Sequence, residues 1–307
     1  MHPDAELDAL LDRVPVLQGV PRVVTELAGG LTNQNLRVQT SGERPGDYVV
    51  RRFRGDPELL GIDRDAEHVN TCAAAEAGAG PAVVDYLPDV GLLVIAYIDG
   101  VTYDNSSFDD PHNLQRAARA CRRLHTGPRF SGEFDMFARQ AGYLRTVQTH
   151  GYRLFDGYAD HLDAFARVGQ ALAVRAGPTV PCNNDLLAGN FVDDGTKVWL
   201  IDYEYSGNND ACFELGNTST ECELDADQVE ALTTAYFGRS SRSRLARVRL
   251  QALVSAYGWS LWGAIQSAAS SLDFDFDGWG QERFDKAAAG LTSRRFEVLL
   301  EDVTRDD

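Results

Sequence analysis

Pro181-Cys-Asn-Asn-Asp-Leu-Leu-Ala-Gly-Asn-Phe191, followed by Trp199-Leu-Ile-Asp-Tyr-Glu-Tyr-Ser206, is the stretch whose reading decides the fold. Asp185 is followed five residues later by Asn190. Asp202 stands twelve residues further on, at the end of an apolar segment that reads as a strand over 198–203. An Asp and an Asn on one loop, with a second Asp on the next hairpin, form a convergent set of hard oxygen ligands. Mg²⁺ favours such oxygens, commonly one or two carboxylates together with the phosphates of a nucleotide. Phosphoryl transfer uses this set: one Asp accepts the proton of the attacking hydroxyl, and an Asn and another Asp hold the metal. Either half of the pattern alone reads equally well as an Asx-rich turn. Both halves, in order and with a strand between them, point to the site.

Upstream of this stretch the chain has two textures. A short amphipathic helix is expected over 4–12. Strands are expected over 23–27, 35–39 and 48–53, with turns at Ala28-Gly29-Gly30 and Arg44-Pro45-Gly46-Asp47. A helix over 63–77, closed by Gly78 and Gly80-Pro81, precedes a hairpin of 82–87 and 91–98. From Asp99-Gly100 onward the pattern is helical: 111–124, 134–149 and 158–176, then 226–237, 242–271 and 279–302 downstream of the deciding stretch. The expected class is α+β and bilobal. A small antiparallel β lobe with one helix covers 1–98, and a larger, mainly helical lobe covers 99–307. Such a pair of lobes places a ligand in the cleft between them.

Composition narrows the partners. The chain has 307 residues, 44% of them apolar and 24% charged, which excludes a disordered or collagen-like chain. The longest apolar run, residues 90–98, is far short of the ~20 residues a membrane helix needs. The opening Met-His-Pro-Asp-Ala-Glu has no basic region followed by an apolar stretch, so a cytoplasmic protein is expected. Asp and Glu number 46 against 29 Lys and Arg, a net charge of −17. That field repels nucleic-acid backbones and anionic membranes, and neither is an expected partner. Cys72, Cys121, Cys182, Cys212 and Cys222 are odd in number and lack the two-residue spacing of a zinc knuckle, so they read as reduced thiols.

The quoted segments resemble the choline/ethanolamine kinase family, within the aminoglycoside-phosphotransferase-like group with a protein-kinase-like fold. The resemblance spans about residues 15 to 300. The family's catalytic loop, His-Asn-Asp followed by four residues and Asn, is matched by Asn183-Asn184-Asp185 to Asn190, and its Ile-Asp-Phe/Tyr-Glu-Tyr segment by 201–205. Gly207-Asn-Asn-Asp210 and Phe213-Glu-Leu-Gly216 also match family segments. The resemblance implies ATP and Mg²⁺ as cofactors, Asp185 as catalytic base, and Asn190 and Asp202 as metal ligands with Glu204 beside them. In the small lobe it implies a nucleotide-covering loop at Gly29-Gly30-Leu-Thr-Asn-Gln-Asn35, so Gly30, Asn33 and Asn35 are candidate nucleotide contacts. Arg51, in Tyr48-Val-Val-Arg51, takes the place of the phosphate-binding basic residue, where an Arg fork can bridge two oxygens. Arg52 reads as a solvated charge. Ile62-Asp-Arg-Asp-Ala-Glu67 matches the helix that places Glu67 against Arg51. Ala96-Tyr97-Ile98 is the expected adenine hinge.

On the substrate side, Trp259 and Trp262 are three apart and share a helix face, with Gln266 following. A quaternary ammonium is held mainly by aromatic faces. The family has a similar Trp-x-x-Trp here and an acidic residue matched by Glu221, so the resemblance implies Trp259, Trp262 and Glu221 as an aromatic-plus-carboxylate cage for choline or a related amino alcohol; core packing is the other reading of the Trp pair. An aminoglycoside, a macrolide, thiamine or a sugar stays open as acceptor. The family's His is replaced by Asn183, which also leaves open a pseudokinase that binds nucleotide without turnover. Asp273-Phe-Asp-Phe-Asp-Gly278 begins like a calcium loop but has Phe284 at the twelfth position, where a bidentate Glu is needed, so calcium is rejected. His125 reads as structural. Oligomeric state is not expressed in the sequence.

Overall fold

The computed structural model describes residues 3–27, 30–43, 45–55 and 57–307, with side chains from residue 6 onward. Met1, His2, Ala28, Gly29 and Arg44, all part of stretches read above, lie outside the described residues. The chain opens with helix α1 (Pro3–Leu11), then strands β1 (Arg22–Leu27), β2 (Asn33–Thr40) and β3 (Gly46–Phe53). Helices α2 (Pro57–Leu60) and α3 (Arg64–Glu76) follow, and then β4 (Val83–Leu87) and β5 (Leu92–Ala96). The five strands form one antiparallel sheet in the order β1-β2-β3-β5-β4. Period-two alternation sorts its faces. Leu36, Val38, Val50, Leu92 and Val94 are buried on one face with Leu11, Val14 and Leu17. The register pairs Leu27 with Asn35 and Asn35 with Arg51, so these three form a row on the opposite face. Arg52, one residue on, is exposed.

α3 buries Glu67, Asn70, Thr71 and Ala74, a spacing that defines one helical face. Asp63 caps it by accepting from the Ala66 amide at 3.0 Å. The rest of the chain is mainly helical: β6 (Val101–Thr102), α4 (Pro111–His125), α5 (Met136–His150), α6 (Leu162–Val174), β7 (Val180–Cys182), β8 (Phe191–Asp193), β9 (Val198–Leu200) and β10 (Gly207–Asn209) come first. Then follow α7 (Ala211–Glu221), α8 (Ala226–Phe237), α9 (Arg242–Ala269), α10 (Phe276–Leu291) and α11 (Phe296–Asp302). The fold is a bilobal, protein-kinase-like α+β architecture.

α9 is the spine of the large lobe. It is buried nearly continuously from Val254 to Gln266, with α5, α7 and α10 packed on it. Two of these contacts need glycine. A Cβ on Gly216 of α7 would sit 2.6 Å from the Ala252 amide nitrogen of α9. A Cβ on Gly263 of α9 would sit 2.7 Å from the Gly280 Cα of α10. Among the described residues no helix is long and apolar enough to cross a membrane.

The structure corrects three sequence expectations. The strand expected over 198–203 stops at Leu200, because Asp202 adopts a left-handed backbone, φ 66°. The helix expected over 279–302 is two, α10 and α11. The Thr292 hydroxyl bonds back to the Ala288 carbonyl at 2.8 Å where the first one ends. Phe213 to Gly216, quoted above only as a motif, lies within the helix α7 (Ala211–Glu221), for which no helix was expected.

Candidate active site

A cleft of about 920 Å³ lies between the two lobes. At one end it is lined by Leu27, Gly30, Asn35, Arg51 and the segment Ile95 to Ile98; at its middle by Asp185, Asn190 and Asp202; at its far end by Tyr205, Glu221, Trp259 and Trp262. Residues far apart in sequence thus line one cavity. Asn33 and Glu67, expected as nucleotide contacts, do not line it. Both are buried behind it and hold residues that do.

The loop of Asn183 to Asn190 is held by its backbone. Glu214 on α7 is fully buried and accepts the amides of Asn183 and Asn184 at 2.8 and 2.7 Å. Asn217, one turn along the same helix face, accepts the Leu186 amide at 2.7 Å. Asn183 Oδ1 takes the Asp185 amide at 3.1 Å, and Asn183 Nδ2 donates to the carbonyls of Ile201 and Asp202 at 3.1 and 2.7 Å. One side chain therefore ties the loop of Asp185 to the segment of Asp202 and braces the left-handed backbone there. Asn184, also left-handed at φ 69°, donates to the carbonyls of Cys182, Tyr205 and Gly207. Asn190 Nδ2 donates to the Asp185 carbonyl at 2.8 Å, while its Oδ1 takes no hydrogen bond from the described residues. His125 lies beneath this loop, 2.7 Å from the Tyr236 hydroxyl and 3.5 Å from Glu214. With Cys182 it forms a buried trio whose members all have hydrogen-bond partners, as a structural histidine should.

Electrostatics concentrate at the middle of the cleft. Arg51 Nη1 meets Glu67 at 2.8 Å and Asp202 at 2.6 Å. Arg64 meets Glu67 at 2.7 Å and Glu204 at 3.2 Å. Two guanidinium groups face three carboxylates in a buried cluster. Glu204 also accepts the Thr32 hydroxyl at 2.8 Å and Asn33 Nδ2 at 2.9 Å. Its oxygens are thus largely taken by protein donors, which separates it from Asn190 and Asp202 as a metal-ligand candidate. Burial, reinforced by Asp202 and Glu67 against Arg51 and Arg64, pushes Glu204 up to about 7. Burial, with Glu221, Asp202 and Glu204 adding, pushes the Asp185 carboxyl well above the usual carboxylate range; Arg283 pulls it back.

The far end is aromatic, but its carboxylate is not free. Trp262 Nε1 donates to the Tyr205 hydroxyl at 2.8 Å, and Trp262 meets Trp279 edge-on at 5.1 Å between ring centroids. Trp259 packs on Tyr205 at 4.8 Å, and its indole N–H has no hydrogen-bond partner among the described residues. Glu221 is gripped by both Nε (3.1 Å) and Nη2 of Arg283. Gln266 is buried outside the cleft wall. Sequence reasoning passed over Thr32, Arg64, Glu214, Asn217, Trp279 and Arg283. Thr32, Arg64 and Glu214 stood inside quoted motifs. Trp279 and Arg283 carried a detectable signal, an aromatic and a cation one helical turn apart directly after the acidic-aromatic segment.

Comparison with known proteins gives the family. The model of the phosphotransferase enzyme family matches residues 23–249. A crystal structure of a choline/ethanolamine kinase family protein from Mesorhizobium loti superposes with a TM-score of 0.85 at 33% identity, covering 98% of this chain and 99% of that one. LicA in complex with AMP superposes with a TM-score of 0.74 at 24% identity, over 92% of this chain and 96% of that one. Ethanolamine kinase 1 of Mus musculus is 25% identical over 87% of this chain and 84% of its own length. The catalytic-loop pattern, the lobe arrangement and these matches together place the chain in the phosphotransferase enzyme family, and within it in the choline/ethanolamine kinase family.

Proposed function

We propose that the chain transfers the γ-phosphoryl group of ATP to the hydroxyl of a small amino alcohol, choline or ethanolamine, in the cytoplasm. The observation that carries the reading is the single cleft in which Asp185, Asn190 and Asp202 stand between a small-lobe end and an aromatic end. The nucleotide occupies the small-lobe end; LicA, similar to this chain, is solved in complex with AMP, which supports a nucleotide as ligand. The Ala96 and Tyr97 amides are spent on Ala82 and Asp47, so the Ile98 amide is the hinge donor for adenine. Gly30 brings backbone close to the phosphates, since a Cβ there would fall 2.4 Å from the Asn33 carbonyl oxygen. Arg51, held by Glu67, faces the phosphates with its planar fork. Asn35 lines the same end.

The donor set fits Mg²⁺. Asn190 Oδ1 and the Asp202 carboxylate are hard oxygens on one wall, beside carboxyls that burial and mutual repulsion have pushed up. Asn190 and Asp202 would hold the ion, and Glu204 stays with Thr32, Asn33 and Arg64. When bound, Mg²⁺ supplies positive charge for the phosphate oxygens. Asp185 accepts the acceptor's hydroxyl proton as the oxygen–phosphorus bond forms and the bond to the departing ADP breaks. Asn183 keeps Asp185 and Asp202 in register, the organising work that the family assigns to His, which favours an active kinase over a silent one.

The test is ADP release with ATP and Mg²⁺ against choline, ethanolamine and a panel of aminoglycosides. The expected result is release with an amino alcohol, falling by on the order of 10²- to 10⁴-fold in Asp185→Ala. Release with an aminoglycoside alone, or turnover of Asp185→Ala at the wild-type rate, would overturn it.

A further inference from the structure

The acceptor end of the cleft already contains a cation held as an ammonium would be held. The Arg283 guanidinium lies over the Trp279 ring, 3.4 Å from its centroid, and its Nε and Nη2 both engage Glu221. The two side chains are almost fully buried, 11% and 4% exposed, and both line the cleft beside Trp259 and Trp262. The pair is close to neutral as a unit, and its geometry is a fixed two-pronged fork. Glu221 therefore does not stand as a bare anion waiting for a ligand's charge.

This changes what the pocket can read. A primary ammonium carries three N–H donors and is strongly hydrated; stripped of water it needs acceptors. The carboxylate at this end has given its charge to Arg283, and Asp185 is committed to the acceptor's hydroxyl. A quaternary ammonium has no N–H to satisfy and binds to ring faces. Trp262, Trp279, Trp259 and Tyr205 supply those faces.

We propose that Arg283 is a specificity-determining residue: by neutralising Glu221 and bracing Trp279 it makes the acceptor end read the methylated surface of a quaternary ammonium and reject a primary one. The proposal rests on the amino-alcohol kinase reading.

The wild-type chain should show kcat/KM at least tenfold higher for choline than for ethanolamine. Arg283→Met keeps length and contact with Trp279 but frees Glu221. It should shift the choline-to-ethanolamine ratio toward ethanolamine by about tenfold, chiefly through a lower KM for ethanolamine. The double variant Arg283→Met with Glu221→Gln is neutral again and should restore the preference for choline. A wild-type preference for ethanolamine overturns the proposal. So does an Arg283→Met variant that loses activity on both acceptors equally, which is what a merely structural role predicts. A direct binding measurement on the wild-type chain covers the case in which the variants do not fold. Tetramethylammonium should bind at least tenfold more tightly than methylammonium, and equal or reversed affinities overturn the proposal. Neither probe has a hydroxyl, so this arm stands apart from turnover. Absence of phosphotransfer to either amino alcohol, with the binding order as expected, strikes the kinase reading and leaves the role of Arg283 supported.

Discussion

Asn183 shows how one residue can look like damage in the sequence and like a joint in the structure. Its amide accepts from the Asp185 N–H and donates to the carbonyls of Ile201 and Asp202, so both halves of the catalytic pattern hang on it. Truncation leaves two carbonyls and an amide without their partner, at a cost of roughly 1–3 kcal/mol for each group left buried and unmet. Asn183→Ala should therefore lower kcat by at least tenfold with a smaller change in KM for ATP, and lower the melting temperature; steady-state kinetics and thermal unfolding check it. That Asp185, Asn190 and Asp202 share one cleft was legible in their types and spacing, and the place of Arg51 there in the family resemblance. The retreat of Glu67, Asn33 and Glu204 into supporting contacts was not readable, because no spacing states whether a carboxylate faces a cleft or turns to a neighbouring Arg or Thr.

At the scale of elements, α7 is the support of the site. Glu214 and Asn217 hold the catalytic loop from one helix face, and Gly216 between them lets α7 lie against the backbone of α9. Gly216→Ala pushes a methyl group into backbone that cannot swing aside. It should cost about 1–3 kcal/mol, by analogy with overpacked cores, and reduce activity along with melting temperature. The β8–β9 turn gives a pH-dependent case. The Asp194 carboxylate accepts the Thr196 hydroxyl at 2.6 Å, the Lys197 amide at 2.8 Å and the Trp199 indole N–H at 2.7 Å, and these donors hold it well below its ordinary 3.8. A carboxylate depressed in the folded state stabilises above its unfolded pKa and loses that contribution as pH falls. Asp194→Asn should thus lower the melting temperature at pH 7, and the gap to wild type should narrow progressively below about pH 4. A gap that does not change with pH would show that the carboxylate's charge is not involved.

At the scale of the whole molecule, the two lobes create a cleft that neither contains alone, and its carboxylates are strained by one another. Asp185 and Glu204 are both pushed up by burial and by like charges. A cation held between them relieves that repulsion, and a ligand that bridges both lobes binds only the folded state. ATP with Mg²⁺ at a hundred times its dissociation constant should stabilise the chain by about 2.7 kcal/mol. In thermal unfolding this shift should vanish with EDTA, shrink in Asp202→Ala, and persist in Trp262→Ala, whose side chain lies at the acceptor end.

The sequence by itself determined the two-lobed α+β architecture, the order of most elements, and the identity of the groups at the centre of the cleft. Those follow from local rules: alternation in strands, helical spacing, turn residues, and the fixed distances between Asp185, Asn190 and Asp202. Only the tertiary structure decided which charges are free. Glu221 read as an anion for a ligand, yet Arg283, 62 residues away, grips it from another helix. The catalytic loop read as an isolated motif, yet its amides end on Glu214 and Asn217 of a helix that periodicity did not reveal. The physical reason is the same in both cases. A buried charge or amide must find a partner, and which partner lies within 3 Å is set by how distant elements pack, which no local pattern records.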